Sequence, residues 1–224
     1  MSLNLRAIAS VFVLTSIMGM IIVAAAGTIE YWQAWIYLAV SFVVSLLITI
    51  YLIRNDPELL KRRMIGGPTR EQRKSQRVIM LFTSLAFLAL LVVPALDKRF
   101  SWSAVPLPVV LLGNLFVIVG FYFIFRVYRE NSYASATIEI AKDQKVIDTG
   151  PYSLVRHPMY TSALIYLFGT PLALGSYWGL LPFLLVIPFL IWRLKDEEKL
   201  LRTELNGYEE YRQKVRHRLV PGLW

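Results

Sequence analysis

The residues best suited to chemistry in this chain lie in its C-terminal third. Arg156, His157 and Pro158 stand just before a hydrophobic segment, and His157 is one of only two histidines. Proline disfavours helical geometry at the residue before it and suits the first turn of a helix, which predicts His157 at a helix N-cap. The free N–H groups and the dipole of a helix start favour an anion, and Arg156 adds positive charge. The block can therefore bind a carboxylate or a phosphate, or it can simply cap a helix.

A second candidate group follows the last hydrophobic segment. Arg193 and Glu197 are four residues apart, which places them on one face if the segment is helical. They can form an ordinary ion pair at a membrane surface. Alternatively, the Glu197 carboxylate can neutralise a cationic ligand such as an ammonium or sulfonium group. Glu198 is a further candidate beside it.

Several other kinds of site are excluded by the residues present. The chain has no cysteine, so it has no disulfide, no thiolate metal site and no cysteine nucleophile. His157 and His217 are too far apart in the sequence to suggest a metal cluster, and we assign no metal. The nucleophile elbow, the phosphate loop and the dinucleotide-binding glycine motif are all absent. We assign no general base.

The elements that must position these residues are predicted to be membrane helices. Of 224 residues, 56% are hydrophobic. Two weaker hydrophobic stretches, Met159–Leu174 and Trp178–Ile191, are predicted to form a short helical hairpin that turns at Gly175–Gly179. Four stronger stretches approach the roughly 20 apolar residues that cross a bilayer: Ala7–Gly27, Trp32–Ile53, Val78–Leu96 and Val105–Phe125. The predicted fold is an all-α integral membrane protein with about six transmembrane helices.

The distribution of basic residues predicts the orientation of the chain. With six spans and a cytoplasmic N-terminus, 22 of the 24 lysines and arginines fall in cytoplasmic segments, and only Lys98 and Arg99 lie outside. Both termini are then cytoplasmic. The net charge of +9 indicates contact with anionic headgroups of the bilayer and no nucleic-acid partner. Because the first four spans hold almost no ionisable residues, an ion-transport function is disfavoured.

The loop between the fourth span and His157 is unusually long for a small membrane protein, which indicates a function. Alternating apolar residues at Ile138–Ile140 and Val146–Ile147 hint at short extended strands, and Asp148–Pro151 predicts a turn. We divide the chain into four N-terminal helices (1–128) and a catalytic region (129–224) within one structural unit.

Two further segments are predicted to lie at the cytoplasmic face. Arg54–Arg77 contains a short amphipathic piece, which should end at Gly66-Gly67-Pro68. Arg193–Tyr211 is predicted to form a cytoplasmic amphipathic helix that is interrupted at Asn206-Gly207.

An ordered set of motifs lies within residues 131–224. It consists of Gly150-x-Tyr152-x3-Arg156-His157-Pro158-x-Tyr160, the hydrophobic hairpin, Arg193-x3-Glu197-Glu198 and Gly207-Tyr208-x2-Tyr211. This set resembles the isoprenylcysteine carboxyl methyltransferase family. The wider group of membrane methyltransferases also includes phospholipid methyltransferases and a bacterial thiol methyltransferase.

The resemblance implies an S-adenosylmethionine-dependent methyltransferase that is not a Rossmann protein. The residues it assigns to the cofactor are Gln144, Lys145, Val146, Ile147, Tyr152, His157, Pro158, Met159, Tyr160 and Glu197, with Arg156 and Glu198 as further candidates. It assigns Arg193 to orientation of the substrate. The implied methyl acceptor is a lipophilic or small molecule with a carboxylate, thiol or amine.

The motifs also depart from the eukaryotic prenylcysteine enzymes. Asn131–Ser135 differs from the stretch expected there, and Gly207-Tyr208 is more compact. These departures make a prenylated protein a poor choice of substrate, and we expect a prokaryotic inner-membrane protein. The alternative hypothesis is a non-enzymatic carrier, sensor or assembly protein that retains the scaffold.

Overall fold

The fold was obtained as a computed structural model that describes residues 2–66, 69, 71, 73–141 and 143–224. The described residues form eight α-helices and one 3₁₀ turn, and they contain no strand. The helices are α1 Leu3–Ala26, α2 Trp32–Asn55, α3 Pro57–Met64, α4 Lys74–Phe100, α5 Leu107–Glu130, α6 Pro158–Ala173, α7 Leu180–Glu204 and α8 Tyr208–Lys214. The 3₁₀ turn is Gly150–Ser153.

The four predicted N-terminal spans are confirmed as helices. Helices α1, α2, α4 and α5 contain 24 to 27 residues each, and each is long and apolar enough to cross a membrane. They extend a few residues beyond the apolar stretches because capping and charged residues continue the helical backbone. The protein is therefore an all-α integral membrane protein. The predicted hairpin is also present as helices, with α6 and α7 joined by a turn at residues 174–179.

One local prediction was wrong. The extended segments at Ile138–Ile140 and Val146–Ile147 do not form strands, because neither has a partner strand among the described residues. The N–H of Ile138 instead donates to a carboxylate oxygen of Glu71 at 3.3 Å. The helix predicted from Arg193 is present as the last part of α7, which continues without a break to Glu204.

The interruption at Asn206-Gly207 and the short amphipathic helix are confirmed. Helix α7 ends before Asn206, and Gly207 takes a positive φ of 83° that a side chain disfavours. Helix α3 is the amphipathic piece, and Asp56 caps it by accepting a hydrogen bond from the N–H of Leu59 at 2.9 Å. Gly67 and Pro68 of the predicted break lie outside the described residues.

Close packing against α5 holds α6, the first helix of the hairpin, in place. A Cβ atom placed on Gly113 would lie 2.2 Å from the backbone N of Ala173, and one on Gly120 would lie 2.7 Å from the backbone N of Tyr166. A Cβ atom on Gly169 would lie 2.6 Å from the carbonyl oxygen of Gly113. The three glycines allow the two backbones to approach each other as small residues do in membrane bundles.

The C-terminal tail fixes the Arg-His-Pro block from the other side. The N–H groups of Arg156 and His157 donate to the carbonyls of His217 and Arg218 at 2.9 and 3.0 Å. The tail itself folds back on the carbonyl of Trp224, which accepts from the N–H of Arg218. The backbone before α6 is therefore held by residues about 60 positions later in the chain.

Candidate active site

One large cavity lies between the helical bundle and the 131–147 loop. Its volume is about 1150 Å³. It is lined by every residue that the sequence assigned to the cofactor: Gln144, Lys145, Val146, Ile147, Tyr152, His157, Pro158, Met159, Tyr160 and Glu197. Arg156 and Arg193 also line it, whereas Glu198 is not among the lining residues. The structure therefore brings the predicted residues together, and their binding of a cofactor remains a prediction.

The cavity has chemically different ends. Its inner part is apolar, with Phe87 of α4, Phe121 of α5, Leu167 of α6 and Val186 of α7 in its wall. The opposite part is polar and lies beside Glu197 and the 131–147 loop. A molecule with a polar head and an apolar body fits this division.

Glu197 is the carboxylate of the polar end. It is half-buried on α7, and the hydroxyl of Tyr160 on α6 donates to its Oε2 atom at 2.5 Å. Among the described residues Glu197 has no basic partner within ion-pair distance. Because a half-buried carboxylate without a cation is costly, a cationic ligand would improve the electrostatics here.

Arg193 does not pair with Glu197 among the described residues, so the surface ion pair that their spacing allowed does not form. Its Nη1 atom donates to Glu71 at 2.8 Å and to Gln76 at 2.9 Å, and its Nη2 atom donates to the carbonyl of Ala136 at 3.1 Å. Glu71 is only 1% exposed. Arg193 thus ties the segment before α4 and the 131–147 loop to α7, at the edge of the cavity.

Glu198 points away from the cavity into a buried cluster of charges. Its Oε1 atom accepts from Nε of Arg156 at 2.8 Å and lies 3.3 Å from Nε2 of His157. Its Oε2 atom accepts from Nε of Arg218 at 3.0 Å. Burial opposes ionisation, but hydrogen bonds and charge from His157, Arg156 and Arg218 lower the pKa of Glu198 to about 2. Glu198 therefore holds the Arg-His-Pro block and the tail together.

His157 is the N-cap of α6, as predicted. Its side chain makes no capping bond, and its ring instead lies beside Glu198 and 5.7 Å, between ring centroids, from Tyr160. The anion that the sequence led us to expect near this block is thus supplied in part by the protein's own Glu198.

The 3₁₀ turn and the C-terminal helix close the polar end. The hydroxyl of Tyr152 accepts from Nδ2 of Asn131 at 2.8 Å, and its carbonyl accepts from the hydroxyl of Tyr211 at 2.7 Å. Burial raises the pKa of Tyr152, so its hydroxyl stays protonated at neutral pH. Val146 packs against the buried Tyr208 of α8 and its neighbours.

Sequence reasoning missed three polar residues of this region. Glu71 and Gln76 bind Arg193, and Arg63 lines the cavity while its Nη1 atom donates to the carbonyl of Ser135 at 2.8 Å. All three lie in the Arg54–Arg77 segment, whose many basic residues predict contact with lipid headgroups. The one available hint was that Glu71 is an isolated acid within a basic tract.

Comparisons with known proteins give one family match and two curated relatives. Residues 108–206 match the phospholipid methyltransferase family. A protein-S-isoprenylcysteine O-methyltransferase of Schizosaccharomyces pombe is 38% identical over 76 residues, which cover 33% of this chain and 32% of that protein. A Delta(14)-sterol reductase TM7SF2 of Mus musculus is 32% identical over 134 residues, which cover 53% of this chain and 32% of that protein. The chain spans about a third of the length of these curated relatives.

The four long apolar helices indicate a multi-pass membrane protein. Over residues 108–206 the chain is similar to the phospholipid methyltransferase family, and part of it is similar to an isoprenylcysteine methyltransferase. The resemblance found in the sequence is thereby confirmed.

Proposed function

We propose that this protein transfers a methyl group from S-adenosylmethionine to a lipophilic or small acceptor. The observation that carries the proposal is the single cavity that joins Glu197, Tyr160 and the Arg-His-Pro block to an apolar interior. The family match and the prenylcysteine methyltransferase relative support the same reaction class.

The residues at the polar end fit such a cofactor. S-adenosylmethionine carries an ammonium, a carboxylate and a sulfonium group, and it supplies the methyl group for a displacement reaction. Glu197, held by Tyr160, would bind the ammonium group. Lys145 and Arg63 line the same cavity and offer positive charge to a carboxylate. Tyr152, His157 and the 144–147 segment would enclose the remainder.

The residues of this chain would then contribute to catalysis by aligning the acceptor with the methyl group and by excluding water from the site. Methyl transfer needs a nucleophile aligned at about 3 Å in a site that excludes water, more than it needs an acid–base pair. The apolar wall of Phe87, Phe121, Leu167 and Val186 would hold the body of the acceptor. The acceptor group is a carboxylate, a thiol or an amine, and Arg193 would orient a carboxylate from the edge of the cavity.

We also propose six membrane spans with both termini in the cytoplasm, in a prokaryotic inner membrane. The 16 residues of α6 measure about 24 Å, which approaches the roughly 30 Å of a bilayer core. In α7 the apolar part ends near Trp192, so that Glu197 and Glu198 lie beyond the membrane-spanning part on the cytoplasmic side. Two helices with short apolar segments that pack as a hairpin can span a membrane where neighbouring helices and the adjacent lipid adjust.

Binding of S-adenosylhomocysteine, the product, tests the proposal without knowledge of the acceptor. We expect calorimetry on folded, detergent-solubilised protein to detect binding. Glu197→Gln should weaken it by about 10- to 100-fold, because a hydrogen bond to a charged group contributes about 1.5–3 kcal/mol. Glu204→Gln removes an exposed charge from the same helix and should leave the affinity unchanged. If folded wild-type protein does not bind the product, the cofactor assignment is wrong.

Two other functions are separated by the same preparation. A ligand at 100 times its Kd stabilises a protein by about 2.7 kcal/mol, so a non-enzymatic carrier should show no such protection by S-adenosylhomocysteine. The match to a sterol reductase covers more of this chain than the methyltransferase relative does. A reductase would need a hydride donor, and protection by a reduced nicotinamide dinucleotide would favour that function.

A further inference from the structure

A second recess is lined in part by Arg156, which also lines the large cavity. Its volume is about 520 Å³, and it opens between α8 and the C-terminal tail. Its five lining residues are Arg156, Arg212, Gln213, Arg216 and Arg218. Four guanidinium groups therefore converge on one small volume at the cytoplasmic side of the protein.

The positive charge of this recess is only partly neutralised. Glu198 is shared by Arg156 and Arg218. Glu209 pairs with Arg212, but it also pairs with Arg202, which lies outside the recess lining. Within the described part of the chain, Arg216 has no acidic partner at ion-pair distance. Two carboxylates thus face four guanidinium groups, and a surplus of about two positive charges remains.

Several hydrogen-bond donors of these arginines also lack an acceptor. Nε of Arg212 is buried and has no hydrogen-bond partner among the residues that the structure describes. Arg156 uses its Nε and Nη1 atoms, and its Nη2 atom bonds to no described residue. Arg218 uses only Nε in hydrogen bonding, so both of its Nη groups remain available to a ligand within the described structure. Planar guanidinium groups with free donors match the oxygens of a phosphate.

We propose that this recess binds a phosphate group. Its surplus charge matches a dianion, and its donors come from residues that are already held in place by Glu198, Glu209 and the tail. The phosphate can be inorganic phosphate from the cytoplasm or the headgroup of an anionic phospholipid. The recess shares only Arg156 with the large cavity, and phosphate binding there does not require methyl transfer.

The test measures binding by two probes. Inorganic phosphate is titrated calorimetrically into the full-length protein in an uncharged detergent at constant ionic strength. In parallel, the unfolding temperature is measured in nanodiscs of phosphatidylcholine with and without phosphatidic acid. The variants are Arg216→Gln and the double variant Arg212→Gln/Arg216→Gln. Arg54→Gln is the matched control, because it removes the charge of an exposed arginine in the last turn of α2, which does not line the recess.

The side chain of Arg216 is exposed and makes no hydrogen bond to a described residue, and the Arg216 carbonyl that accepts from Arg156 is kept in the variant. Arg216→Gln should therefore fold normally. Saturable phosphate binding that weakens at least tenfold in the double variant, and measurably in Arg216→Gln, supports the proposal with free phosphate as the ligand. Stabilisation by phosphatidic acid alone, lost in the same variants, supports it with a headgroup as the ligand. The proposal is overturned if neither probe binds, if the variants bind as wild type does, or if Arg54→Gln loses as much affinity.

Discussion

Glu198→Gln should destabilise the protein strongly although it changes only one atom. The Glu198 carboxylate accepts from Arg156 and Arg218 and lies beside His157, in a cluster where the Arg156 side chain is 4% exposed. The amide keeps the shape of the side chain but removes the negative charge. Arg156 then remains buried without a counter-charge, and in either orientation the new NH2 group faces a guanidinium group, that of Arg156 or that of Arg218.

The magnitude follows from the burial of the partners. Removal of one member of a buried ion pair typically costs about 3–5 kcal/mol. The Arg218 side chain is 29% exposed, so water screens its contact and the low end of the range applies. We therefore expect a loss of about 3 kcal/mol. For a chain of this size, about 2–4 °C per kcal/mol predicts a fall in unfolding temperature of roughly 6–12 °C.

The assay is thermal unfolding in detergent, followed by tryptophan fluorescence. Glu197→Gln is the matched control, because it makes the same chemical change one residue earlier. Among the described residues the Glu197 side chain hydrogen-bonds only to the Tyr160 hydroxyl, so this variant should unfold within about 2 °C of wild type. If both variants unfold at the wild-type temperature, or if Glu197→Gln is the less stable of the two, the division of roles between them is refuted.

The same cluster predicts a dependence of stability on pH. An ordinary glutamate has a pKa near 4.5, whereas the cluster lowers the pKa of Glu198 to about 2. A lowered pKa in the folded state contributes stability that is present above pH 4.5 and is lost as the pH falls towards 2. Unfolding temperatures between pH 6 and pH 3 should therefore fall less steeply in Glu198→Gln than in wild type. Identical slopes would contradict the charge cluster.

Two further predictions concern packing and the loop. Gly120→Ala should lower the free energy of unfolding by about 1–3 kcal/mol, because the new Cβ would lie 2.7 Å from the backbone of Tyr166. Gly19→Ala is the control, since its Cβ meets only a leucine methyl at 3.4 Å. Equal unfolding temperatures for the two variants would refute the close α5–α6 contact. Glu71→Gln should weaken the hydrogen bond from the Ile138 amide and increase its hydrogen exchange about tenfold, with no change in amides of α1. Unchanged exchange at Ile138 would show that Glu71 does not hold the loop.

Some features of the site could be predicted because they depend on neighbours in sequence. Pro158 determines that His157 precedes a helix, and Gly207 ends one helix and starts the next. Other features depend on contacts between distant segments. Helical spacing allows Arg193 to pair with Glu197, but the carboxylate that it binds is Glu71, 122 residues away. The strands expected in the loop did not form, since alternation in sequence cannot supply a partner strand.

The amino-acid sequence alone determined the long apolar helices, because the length of an apolar segment is a local property that can be compared directly with the thickness of the bilayer core. It also identified ten residues that line one cavity and the reaction class that their order resembles. Only the tertiary structure distinguished Glu197 from Glu198. Successive residues of a helix point about 100° apart, and the positions of α6 and the tail decide what each meets. Glu197 faces a cavity with a polar and an apolar end, while Glu198 is buried among arginines and forms part of the scaffold.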